Sequence, residues 1–136
     1  MTKLDEILSR PFKQSSKEAV TPNNRILAVD DLPALLRLLQ RGLLMHGFSV
    51  DAVSSCKESI ELYQFNWMNY HCVILDMMMP EMTGNQLYKK LRAINPNLKA
   101  IFVSGSCPQE LINDALSNGA NYFLPTVYTF RISRVN

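Results

Sequence analysis

The chain has 136 residues, 47% of them hydrophobic and 19% charged, enough for one soluble domain with a real core. A formal net charge of +2 is too small to point to nucleic acid, and no apolar run approaches the ~20 residues that span a bilayer. Cys56, Cys72 and Cys107 with His46 and His71 form no CxxC pair and no zinc spacing, so reduced thiols in a cytoplasmic protein are expected.

Residues 1–24 are polar, contain Pro11 and Pro22 and show no signal-peptide core. They read as an N-terminal leader with at most one amphipathic turn at Leu4, Ile7 and Leu8. "RILAV" (25–29) is a buried strand ending on Asp30 and Asp31. Pro33 then opens a helix carrying Leu35, Leu38, Leu39 and Leu43 at helical spacing, closed by Gly47. "FSVDAV" (48–53) alternates as a second strand. Ser55 and Glu58 suit a capping box for a helix with Ile60, Leu62, Tyr63 and Phe65. His71 reads as a structural side chain at a strand edge. "CVIL" (72–75) is the third strand, and Thr83 with Gln86 caps a helix bearing Leu87, Leu91 and Ile94. "KAIFVS" (99–104) is the fourth strand. Pro108 opens a helix with Leu111, Ile112, Ala115 and Leu116, ended by Asn118-Gly119, and "NYFL" (121–124) is the fifth strand.

Strands and helices thus alternate through the chain, without an internal repeat. Short apolar strands separated by helices predict an α/β fold with a parallel sheet covered on both faces. Right-handed crossovers favour a flavodoxin-like, doubly wound five-stranded sheet of order 2-1-3-4-5. In such a sheet the carboxyl ends of neighbouring strands carry the chemistry. Asp30 and Asp31 follow the first strand, Asp76 the third and Ser104 the fourth. Three carboxylates so close repel and raise one another's pKa unless a cation shares them, and a hard divalent ion such as Mg2+ suits them.

The motifs "ILAVDD" (26–31), "VILDMMMPEMTG" (73–84), "IFVSG" (101–105) and "GANYFLPT" (119–126) stand in order between the right elements. In them the chain resembles the receiver domain of two-component response regulators, over residues 25–126. The resemblance implies that Asp76 is the phosphoacceptor, taking a phosphoryl group from a histidine kinase or phosphotransfer protein. It implies that Asp31, Asp76 and the backbone carbonyl of Met78 hold Mg2+, with Asp30 acting through water and charge. Ser104 would contact the phosphoryl group and Phe123 would be the switch aromatic. It further implies that Met78 and Ser106 influence phosphate lifetime, and an apolar Met78 leans towards a longer-lived phosphoryl group. Met77, Met78 and Met79 themselves read as packing and pocket wall.

Two features depart from that pattern. Thr126 stands where the family has a lysine, and Val127 where a proline usually follows. A unit charge pair ~4 Å apart contributes roughly 4 kcal/mol at an effective dielectric of ~20, against about 1 kcal/mol for a neutral hydrogen bond. Switching is therefore expected to be impaired unless Arg131 or Arg134 supplies the cation. The remainder, residues 127–136 ("VYTFRISRVN"), alternates like a strand and forms an atypical tail, leaving the fifth helix short, replaced or missing. At ~25 cal/mol per Å2, a bare face of several hundred square ångströms forfeits several kcal/mol, so a homodimer through the exposed C-terminal face is expected.

The favoured expectation is a phosphoacceptor module without its own enzyme activity, acting by phosphorylation-dependent binding to a downstream protein target rather than to nucleic acid or membrane. Its alternative is a degenerate receiver serving as a phosphorylation-independent interaction module. A phosphohydrolase with an Asp nucleophile needs a second aspartate where Met78 stands, and so lacks its general acid. A flavodoxin-like cofactor binder needs a phosphate-cradling loop where Asp30 and Asp31 would repel phosphate.

Overall fold

The computed structural model describes residues 24–104, 109–117, 119 and 122–125. In chain order the elements are β1 (Arg25–Val29), α1 (Pro33–Leu44), β2 (Ser49–Val53), α2 (Cys56–Asn66), a 3-10 turn (Trp67–Asn69), β3 (Tyr70–Asp76), α3 (Gly84–Ile94), β4 (Ala100–Ser104), α4 (Gln109–Ser117) and β5 (Tyr122–Pro125). The strands form one parallel sheet of order β2-β1-β3-β4-β5. The predicted α/β fold and strand order are therefore observed. The N-terminal leader up to residue 23, Ser106, Cys107, Thr126, the tail and any fifth helix lie outside the described residues.

Each helix starts for a local reason. Pro33 opens α1 with its fixed φ, and Leu35, Leu36, Leu39 and Leu43 give it one buried face. Gly47, at φ +88°, provides the left-handed turn after it. Thr83 and Gln86 form the expected reciprocal capping box on α3. At α2 only half of that device exists. Ser55 accepts from the Glu58 N–H, while the Cys56 N–H donates to the Glu81 carboxylate from the loop after β3.

Two apolar layers sandwich the sheet. Leu27, Val29, Val73, Leu75, Ala100 and Phe102 face α2 and α3, where Tyr63, Leu87, Tyr88 and Leu91 are buried against them. Ile26, Ala28, Cys72, Ile74, Ile101 and Val103 face α1. Alternation along each strand thus assigns successive side chains to opposite layers, and both layers must be apolar for the sheet to be buried.

Some expectations need correction. β3 begins at Tyr70 rather than Cys72, so His71 lies within a central strand and packs against Phe48 with ring centroids 5.6 Å apart. Phe65 stands two residues from the buried Tyr63, roughly 200° round the helix, so it faces away from the sheet and is 84% exposed. The face that a fifth helix would cover borders residues 126–136, which lie outside the described residues.

Candidate functional site

Three strand ends bring the acidic residues together. β1 and β3 are hydrogen-bonded neighbours, with Val29 level with Leu75, so Asp30 and Asp31 leave β1 beside Asp76 at the end of β3. Their carboxylate oxygens lie within 4.8 Å of one another. Asp30 is 2% exposed and accepts from the Leu32 N–H at 2.9 Å. Asp76 is 9% exposed and accepts from the Met78 N–H at 3.3 Å.

This proximity is electrostatically unfavourable. Burial, and then repulsion from Asp30 and Asp31, push Asp76 up to about 7, against a smaller lowering by the Met78 N–H. Burial likewise pushes Asp30 up to about 6, with Asp31 adding to it. Sequence reasoning anticipated the repulsion; the larger cause is the loss of water around the carboxylates. An acidic cluster of hard oxygen donors, its carboxyls pushed up mainly by burial, is chemically suited to a divalent cation.

The loop after Asp76 is held in place by backbone bonds. Met77 donates to Val103 O at 3.1 Å, and Gly84 donates to Met77 O at 2.8 Å. Met78 pairs with Thr83 across the turn in an antiparallel bridge. A Cβ on Gly84 would sit 2.3 Å from the Asp76 carbonyl oxygen. The glycine at this offset is therefore required by space. Of the three methionines, Met77 is wholly buried and Met79 packs against the core. Met78 is 45% exposed and lies outside the buried core.

Ser104 ends β4, buried, one residue beyond Val103, which is level with Asp76. Phe123 lies in β5 opposite Phe102 of β4. Thr126 falls outside the described residues. Sequence reasoning missed Glu81. Its role as acceptor for the Cys56 N–H joins two loops 25 residues apart, and no local pattern signals such a contact.

A parallel doubly wound sheet with an acidic cluster at the ends of its first and third strands defines the class of CheY-like signalling domains. The chain matches the response regulator receiver domain family over residues 26–127, and it belongs to that family. It is 43% identical over 70 residues to the transcriptional regulatory protein SrrA of Staphylococcus aureus, a stretch covering 52% of this chain and 28% of that protein. It is similar to a CheY-like receiver domain protein from Methanospirillum hungatei, at a TM-score of 0.70 and 26% identity, covering 76% of this chain and 82% of that one. CheX–CheY of Borrelia burgdorferi, solved with BeF3 and magnesium, shares the fold at a TM-score of 0.71 and 24% identity, covering 79% and 84% of the two chains. Among the described residues no helix is long and apolar enough to cross a membrane.

Proposed function

We propose that the chain is a phosphoacceptor of a two-component phosphorelay, phosphorylated on Asp76 by a histidine kinase or phosphotransfer protein. The observation that carries this reading is the cluster of Asp30, Asp31 and Asp76 at adjoining strand ends, within 4.8 Å. In the transfer an Asp76 oxygen attacks the phosphorus of a phosphohistidine. The new P–O bond replaces the P–N bond, and the imidazole nitrogen leaves with the electron pair. Only the ionised carboxylate is nucleophilic, so a cation that favours ionisation of a group pushed up to about 7 would assist the attack at neutral pH.

Asp31, Asp76 and the Met78 carbonyl are the groups that would hold Mg2+, with Asp30 contributing charge. An ion held there would offset the charge of the carboxylates and of the incoming phosphoryl oxygens. The Met78 N–H already orients one Asp76 oxygen. Ser104 is the proposed phosphoryl contact and Phe123 the proposed switch aromatic. Phosphorylation adds roughly −1.5 to −2 charges at one strand end, which changes affinity for a downstream protein in the cytoplasm. The chain itself acts as a binding module in this reading, without enzyme activity of its own.

A second reading, a degenerate receiver binding its partner regardless of phosphorylation, is favoured by Thr126 at the lysine position. A homodimer through the C-terminal face, expected from the sequence, belongs to the same proposal.

Beryllofluoride with Mg2+ separates the two readings, followed by Trp67 fluorescence and amide spectra with Asp76→Asn as control. Saturable binding that reaches Ser104 and Phe123 and is absent in the variant supports the phosphoacceptor. Binding confined to the pocket means a site that has lost its switch. No binding favours the degenerate module.

A further inference from the structure

The start of α3 is fastened to the strand end that carries Asp76. The Gly84 N–H donates to Met77 O at 2.8 Å, and a Cβ on Gly84 would come within 2.3 Å of the Asp76 carbonyl oxygen. The next residue, Asn85, is 4% exposed. Its amide nitrogen donates to the Asp114 carboxylate of α4, 29 residues further on. Its Oδ1 is also buried and has no hydrogen-bond partner among the described residues. A buried carbonyl oxygen without a donor is penalised, and the acidic cluster makes no use of this side chain. The bond to Asp114 is the contact that offsets part of the penalty.

α4 depends on polar contacts more than its neighbours do. Of its nine residues only Ala115 is buried, whereas α1 and α3 each bury five. Leu111 and Ile112 are half-buried, and Leu116 is 44% exposed. A helix with so small an apolar face has low local stability. Beyond its end, Arg92 of α3 reaches Gly119, where a Cβ would come within 2.6 Å of Arg92 Nη1. Asn85 and Arg92 stand about two turns apart on one face of α3, and both bear on α4 or the residues after it.

We propose that the Asn85–Asp114 hydrogen bond couples the Asp76 strand end to α4, so that filling the acidic site changes how α4 is held. The inference rests on the phosphoacceptor reading and names an element that senses charge arriving there. The path is short: Asp76 and Met77 meet Gly84, Gly84 adjoins Asn85, and Asn85 holds Asp114. It runs apart from Ser104 and Phe123. A phosphoryl group adds roughly −1.5 to −2 charges close to Gly84. Any shift of the α3 start moves the donor on which Asp114 relies, and α4 has few apolar contacts to resist it.

The test is a titration with beryllofluoride and Mg2+ of the unaltered chain, Asp114→Ala and Asp114→Asn, followed by amide resonances. Asp114 lies at the surface, so both changes spare the core, and circular dichroism checks each fold. In the unaltered chain the α4 amides from Leu111 to Ser117 should shift together with those of Met78 and Gly84. Asp114→Ala should cut the α4 shifts about two-fold or more and leave those of Met78 and Gly84 as they are. Asp114→Asn keeps an acceptor for the Asn85 amide and adds a donor that can face its Oδ1, so the α4 response should return. An α4 response equal in all three chains overturns the inference and leaves the phosphoacceptor reading standing. Shifts confined to the pocket in the unaltered chain do the same. No binding by the unaltered chain overturns both.

Discussion

The N–H of Cys56, the first residue of α2, donates to the Glu81 carboxylate at 2.9 Å, tying the loop that follows Asp76 to the helix that follows β2. Glu81 thereby serves as the cap of a helix it does not belong to. Replacing it with alanine is expected to lose about 0.5–2 kcal/mol of stability, the usual cost of a lost N-terminal cap. It should also weaken beryllofluoride binding, because the loop holding Asp76 loses one anchor. Glu81→Gln keeps an acceptor oxygen and should lie close to the unaltered protein in both measurements. Equal losses in the two variants would assign the effect to charge at the helix N-terminus instead.

Gly84→Ala tests the tightest packing point of the site. The added carbon would approach the Asp76 carbonyl oxygen to 2.3 Å and the Met77 Cα to 3.0 Å. These are backbone atoms, so the strand end itself has to move. Overpacking of this kind costs typically 1–3 kcal/mol, read as a lower urea midpoint. The Asp76 and Met78 amide resonances should shift more than those of β2. A variant with the original midpoint and unmoved Asp76 resonances would mean that the loop absorbs the methyl group elsewhere.

Phe102 lies at the centre of the α2–α3 layer, 0% exposed, with its ring edge-on to Tyr88 at 5.7 Å. Phe102→Ala is expected to cost about 3–5 kcal/mol, because β4 and α3 cannot both close on the cavity. Denaturant unfolding measures it directly. A cost below about 1.5 kcal/mol would show that the layer collapses readily.

Much of this arrangement was legible in the sequence, because its causes are local. The apolar runs of β1, β3 and β4 are short and end at carboxylates or a hydroxyl, and Thr83 with Gln86 marks the start of α3 one turn in advance. Once those strands are ordered in parallel, Asp30, Asp31 and Asp76 have to meet. The parts that escaped depend on contacts between distant segments. Met78 differs from Met77 and Met79 only in which way a turn points it. Glu81 has no local pattern at all, since its partner is 25 residues away.

The acidic cluster makes a prediction about pH. Asp76 is raised to about 7 and Asp30 to about 6, both from 3.8, chiefly by burial. Between those limits the folded state binds more protons than the unfolded chain, so stability is fully present below about pH 4 and falls as pH rises towards about 7. Asp76→Asn removes one of the charges that cause the loss, and its amide oxygen can still accept from the Met78 N–H. The variant should therefore be more stable than the unaltered protein at about pH 8, by roughly 1–3 kcal/mol, with the gap closing near about pH 4. Mg2+ at neutral pH should stabilise the unaltered chain by occupying the same charges, and should do less for the variant. Urea unfolding across this range, with and without Mg2+, measures both effects. A variant that is less stable at about pH 8 would mean that the Asp76 carboxylate is a net stabiliser as it stands, and that burial does not penalise its charge.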